Sequence, residues 1–312
     1  MSDFRTQLKC GLSAGGKKGW SSFVWMCKII VPVSFFVALL QWSGWLNQAD
    51  FLLNPLMGLL NLPAEATLPI IIGMLVGPPA VIAIITVVPF TIGQMTLIAI
   101  FTMVAHMLIT EGIIQSKSGI NIIKITVVRI AVAILTVYIV SQFLGDTSQS
   151  IVAPANLMVY IPFIEALKSW IIDLITLSVK IFVIVMIVMT ILECLRSLGW
   201  IKYLLRFFKP CMRVLGLSDR AVMIWVAAVV FGLIYGGAVI LEEAEKGTLT
   251  KEELEPLHIS IGINHSIVED TALFVALGVS VFWLVIPRLI MAIVVVQAYN
   301  AIKYLKNKAL HR

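Results

Sequence analysis

Charge is what this chain has least of. Asp, Glu, Lys and Arg make up 13% of its 312 residues, against 60% that are hydrophobic, and mean hydropathy is +1.01. That balance excludes an ordinary water-soluble globule. Cysteine is scarce too: Cys10, Cys27, Cys194 and Cys211 form no Cys-x-x-Cys pair, which excludes a disulfide framework and a zinc knuckle. The first twenty residues lack the short apolar core and small-residue cleavage site of a secretory signal, so the first apolar span is expected to stay as an uncleaved anchor. No nucleophile stands beside a base in a setting that would activate it, and no enzyme is expected.

What is abundant is long apolar sequence. The runs Ile29 to Leu46, Ala66 to Val88, Met95 to Ile109, Ile120 to Leu144, Leu174 to Leu192, Ala221 to Leu241 and Val281 to Tyr299 are long enough, or nearly so, to cross about 30 Å of hydrocarbon. The fold class is therefore an all-α polytopic membrane protein. The net charge of +6 gathers in Arg5 to Lys28, Arg196 to Arg220 and Lys303 to Arg312. Each cluster adjoins an apolar span, which reads as cytoplasmic anchoring and not as nucleic-acid binding.

The scarce polar residues repeat. His106, Glu111 and Arg129 recur as His265, Asp270 and Arg288 at one separation (265−106 = 270−111 = 288−129 = 159), and Gly119 recurs as Gly278. At that separation Gly73 and Gly77 align with Gly232 and Gly236. Gly44-Trp45 and Gly199-Trp200 recur at 155 (199−44 = 155). Ionisable groups cost several kcal/mol inside a bilayer, so equal spacing in two apolar surroundings points to a duplicated unit around a polar site. The expected organisation is a cytoplasmic amphipathic segment (1–22), a first repeat (23–145), a linker (146–170), a second repeat (171–303) and a basic cytoplasmic tail (304–312).

The run from Ala66 to Val88 is interrupted by Gly77-Pro78-Pro79, and its counterpart from Ala221 to Leu241 by Gly236-Gly237. Paired prolines remove two donors and clash with the preceding turn, so a re-entrant hairpin is expected, with a kinked through-span as the other reading. With both segments re-entrant, each half crosses three times. The repeats are then inverted, and both termini face the cytoplasm of a bacterial plasma membrane.

His106 with Thr110, and His265 with Glu269, fall one helical turn apart and are expected to share inward faces. His106, His265, Glu269 and Asp270 are the candidate ligands of a divalent metal or members of a proton relay. Gly77, Pro78, Pro79, Gly236, Gly237, Asn264 and the two histidines are the candidate contacts of a small polar solute. Glu111 with Arg129, and Asp270 with Arg288, are expected to form buried ion pairs locking helical hairpins, and exchanging the charges of Glu111 and Arg129 is expected to rescue folding. No resident cofactor is evident. The strings Gly11 to Gly15 and Gly11 to Lys17 approach a nucleophile elbow and a phosphate loop, but lack the strand and the Ser or Thr that those motifs need.

The string Gly73-Met-Leu-Val-Gly-Pro-Pro-Ala80, the interfacial stretch before it and the two histidine-bearing helices resemble the Gate-domain, or nucleoside recognition domain, family. Related domains build the membrane part of bacterial ferrous-iron transporters, nucleoside transporters and spore maturation membrane proteins. The resemblance covers nearly the whole chain as two Gate repeats. It implies a transporter of a nucleoside-like solute or divalent cation, or else a non-transporting scaffold with a homo-oligomeric or separate cytoplasmic partner. Pro78 and Pro79 stand where the iron transporters typically carry a cysteine.

Overall fold

A computed structural model describes residues 2–43, 57–117, 119–149, 162–230, 232 and 249–310. It is all-α, with no strand among the described residues. The helices are α1 (Ser2–Trp42), α2 (Thr67–Leu75), α3 (Pro78–Ile85), α4 (Ile92–Ala105), α5 (Leu108–Lys117), α6 (Ile122–Ser141), α7 (Phe163–Ser197) and α8 (Ile201–Val214). They continue with α9 (222–230), α10 (Lys251–Asn264), α11 (Glu269–Val275) and α12 (Val281–Leu310). Among the described residues five spans are long and apolar enough to cross a membrane: Phe4–Trp42, Ile92–Lys117, Ile122–Ser141, Phe163–Ser197 and Val281–Ala309. The chain is thus a polytopic α-helical membrane protein.

The expected surface segment 1–22 is not separate. It is continuous with the first span in one helix of 41 residues, because α7 offers it a partner along its whole length. The two helices run antiparallel: Trp42 stacks on Phe163, Phe35 on Trp170 and Phe23 on Phe182, while near the other end Ser197 donates to the Gln7 carbonyl. Lys18 pairs with Glu193 inside this seam. Side chains on α7 sort by helical period. Ile172, Ile175, Val179, Val183, Ile187 and Ile191 are exposed, as lipid-facing residues should be, while Leu177, Ile181, Val185 and Met189 are buried.

The glycines of the discounted phosphate-loop string make this seam close. A side-chain carbon on Gly11 would lie 2.8 Å from the Cα of Cys194, and one on Gly15 would lie 2.5 Å from the Cα of Thr190. Small residues every four positions bring the backbones together, which is how helices associate where no water drives burial. Gly15→Ala is expected to destabilise the protein by about 1–3 kcal/mol, since backbone must move. Gly16, whose added carbon would meet nothing, is the control. Thermal unfolding in detergent checks the pair, and equal melting of the two variants would refute the close seam.

Where both halves are described, their elements match, with a change of register between them. Helix α1 ends at Trp42 and α7 at Ser197, 155 residues on. Asn61 and Gly216, again 155 apart, both take positive φ (53° and 71°) after a helical turn. The next residue donates back to Met57 in one half and Met212 in the other. The 3-10 turns Ala64–Ala66 and Asp219–Ala221 keep the same interval. Beyond the interruption the interval is 159: Thr91 and Thr250 close equivalent capping boxes on α4 and α10, and α6 and α12 begin at Ile122 and Val281. The glycine alignment expected from the sequence is therefore corrected. Gly77 (φ 115°) corresponds to Gly232 (φ 79°), and Gly73 to Ala228, whose carbonyls accept from Met107 and Ser266 respectively. The four extra residues of the second half fall between 232 and 250.

At the first interruption Gly77 occupies backbone space open only to glycine, and Pro78 and Pro79 start α3, where their missing donors are not needed. Helix α3 turns back beside α2: a side chain on Gly73 would lie 2.8 Å from Val81. In a straight helix residues eight apart would be separated by about 12 Å. Gly236 and Gly237, with the rest of the second interruption, lie outside the described residues.

Candidate functional site

Each half carries a second interruption that its sequence does not announce. Helix α4 stops at Ala105 and α10 at Asn264. His106 and His265 follow with extended backbone (ψ 160° in both), and then Met107 and Ser266 take positive φ (45° and 52°). Neither histidine therefore shares a continuous helical face with the residue four positions on, and the expected pairings with Thr110 and Glu269 are corrected. The break lets the next helix swing its acidic residue back toward the imidazole.

An arginine holds each break. Arg129 on α6 donates through Nε to the Val104 carbonyl (2.8 Å) and through Nη2 to the His106 carbonyl (2.8 Å). Arg288 on α12 does the same to Ile263 (3.0 Å) and His265 (3.0 Å), and reaches Met103 of the other half (3.2 Å). These carbonyls are the orphaned acceptors at two helix C-termini, where the dipole also favours a cation. Both guanidiniums are buried, at 1% and 0% exposure. Gly262 gives Arg129 its passage: a side chain there would lie 3.3 Å from the arginine Cδ.

His106 and His265 meet between the halves. Their Nε2 atoms are 3.0 Å apart, and both rings are anchored through Nδ1 to the carbonyl one turn back, Thr102 (3.0 Å) and Ile261 (2.9 Å). Glu111 Oε1 sits 3.1 Å from His106 Nε2 and 3.0 Å from His265 Nε2, while its Oε2 lies 2.7 Å from Arg129 Nη1. Glu111 and Arg129 are thus in ion-pair contact.

The second pair does not mirror it. Asp270 and Arg288 make no ion pair, since the aspartate is one methylene shorter. Its Oδ2 lies instead 3.6 Å from His106 Nε2, and among the described residues neither that oxygen nor Arg288 Nη1 has a hydrogen-bond partner. Glu269 does not join the histidines at all. It lines a small gap against Ile184, Val185, Val188 and Met189 of α7. The ligand set expected from the sequence loses Glu269 and gains Glu111, which the sequence offered only as an arginine partner.

Asn264 is fully buried beside His265, with its amide nitrogen and oxygen both unpartnered, as are the hydroxyls of Thr102 and Thr271. Pro78 and Pro79 are buried at the start of α3, and Gly77 packs against Met107, the residue after His106. The polar groups at the centre touch one another directly. His106, His265, Glu111, Arg129, Asp270 and Arg288 converge on one buried locus where the halves meet.

No family model matches the chain, and no solved structure matches it. The chain is similar to uncharacterized membrane protein YvoD of Bacillus subtilis (strain 168), with 28% identity over 297 residues that cover 92% of each chain. That likeness agrees with the membrane assignment drawn from the five spans.

Proposed function

We propose that this chain is a transporter-like plasma-membrane protein of two inverted Gate-type repeats, which moves a small polar solute or a divalent cation through the site between its halves. One observation carries the reading: equivalent residues of the two halves, His106 and His265, touch at the centre of the molecule. Contact between equivalents supports a pseudo-twofold axis passing near the imidazoles. The equivalent helices α1 and α7 run antiparallel, as an axis in the membrane plane requires. Both termini then face the cytoplasm with the basic stretch Arg196 to Arg220. Helices interrupted beside buried ionisable groups are the arrangement in which transporters expose backbone and charge to a cargo. The tightly packed centre is an occluded state, which rocking of one half against the other would open.

Proteoliposomes offered nucleosides and divalent cations in parallel test the reading. Uptake of one class is expected, and it should be lost in the His106→Ala, His265→Ala double variant. If neither class moves, the transport reading fails. A scaffold reading draws on α8, where Lys202, Arg206, Lys209 and Arg213 are all exposed as a basic docking face. It is favoured if the histidines are dispensable in cells while charge reversal on α8 is not.

A further inference from the structure

Resting on the transport reading and naming its cargo, we propose that His106, His265, Glu111 and Asp270 form a binding site for one divalent transition-metal ion.

The first argument is where the protons are. Carbonyl oxygens only accept hydrogen bonds, so the Nδ1 atoms facing Thr102 and Ile261 carry the imidazole hydrogens. In a neutral ring Nε2 is then a bare lone pair. Two such lone pairs face each other at 3.0 Å, with Glu111 Oε1 within 3.1 Å of both. With both rings neutral, three electron-pair donors at these distances repel one another unless a cation sits between them, either a proton carried on one Nε2 or a metal ion. Asp270 Oδ2, buried and with no hydrogen-bond partner among the described residues, lies 3.6 Å from His106 Nε2.

The second argument is size. Ligands about 2.0–2.2 Å from a tetrahedral ion stand about 3.3–3.6 Å from one another. The three separations among the two Nε2 atoms and Glu111 Oε1 run from 3.0 to 3.1 Å, so these three ligands need only a small outward adjustment, and Asp270, which lies on the His106 side, moves inward to complete the shell. The outer shell is already in place: each imidazole is oriented by a carbonyl, and Glu111 is held through its other oxygen by Arg129.

The third argument is charge. Glu111 and Asp270 formally cancel Arg129 and Arg288, and Glu111 is paired with Arg129. The negative ends of α4 and α10, roughly half a charge each, leave the centre about one charge negative and favour a bound cation. Two imidazoles with two carboxylates select the zinc, cobalt and iron class over magnesium and calcium, which prefer all-oxygen shells.

The test uses the full-length protein in detergent, stripped of metal and titrated with Co2+. One Co2+ per chain is expected, with the visible absorption of a four-coordinate site, displaced by Zn2+ and not by Mg2+. Glu111→Gln and His265→Ala should each weaken binding by more than about 100-fold, beyond the effect of losing an outer-shell partner. Because either change could unfold the protein, His265→Cys is the second variant. It should keep the ion and add a thiolate-to-cobalt charge-transfer band. A wild-type protein that elutes as a folded monodisperse species yet binds no Co2+ overturns the site, as does Co2+ binding that both single variants leave unchanged. Failure of this inference is separable from failure of transport. A protein that binds Co2+ but moves no cation across vesicles keeps the site and loses the transport reading. One that imports a nucleoside and binds no Co2+ does the reverse.

Discussion

Arg129→Met is expected to remove roughly 3–5 kcal/mol of stability, the cost of leaving a buried charge without its partner. Arg129 holds Glu111 at 2.7 Å and two carbonyls of the α4 terminus at 2.8 Å, and it is 1% exposed. Methionine fills the volume and replaces none of those donors. Glu111 is left as an uncompensated carboxylate, and the Val104 and His106 carbonyls lose their acceptor role in a medium without water. The structure also revises the outcome of exchanging the charges. Glu111→Arg with Arg129→Glu restores the sign of the pair, but a carboxylate at position 129 cannot donate to carbonyls. The double variant is expected to remain as unstable as Arg129→Met. Equilibrium unfolding in bicelles measures both, and recovery by the double variant would reduce Arg129 to a simple ion-pair partner.

The second large effect turns on one methylene. Glu111→Asp is expected to withdraw the carboxylate from Arg129 and both imidazoles at once, costing about 3 kcal/mol and most of the Co2+ affinity. Asp270→Glu should do the opposite: the longer side chain reaches Arg288 Nη1, which has no hydrogen-bond partner, and a new charge-assisted bond contributes about 1.5–3 kcal/mol. Combining the two changes transfers the full carboxylate–arginine pair to the other half. A pseudo-twofold centre predicts that the combination recovers most of the loss. Additive loss in the double variant would show that the two halves are not interchangeable at this site.

Much of this arrangement is legible in the residues alone. The apolar runs mark all five spans, Ile120 to Leu144 enclosing α6 and Leu174 to Leu192 lying inside α7. The His, acid and Arg spacing singles out six of the side chains that converge. Gly77-Pro78-Pro79 announces the first interruption, because glycine and proline constrain their own backbone. The second interruption is silent, since Ala105-His106-Met107 and Asn264-His265-Ser266 contain neither residue. Those breaks are imposed by arginines 23 residues further on, which satisfy the freed carbonyls. Helical spacing through an unseen break gives the wrong face, and for that reason the spacing points to Glu269 and not to Glu111.

Sequence by itself determined that this is a helical membrane protein and that its buried charges come twice, because both facts follow from the cost of placing polar groups in hydrocarbon. Only the tertiary structure decided which groups meet. It set the register of the halves at 155 before the interruption and 159 after it, brought His106 to His265, and left Asp270 short of Arg288. The physical reason is that contacts between the halves depend on how they pack against each other and not on either half's own residues.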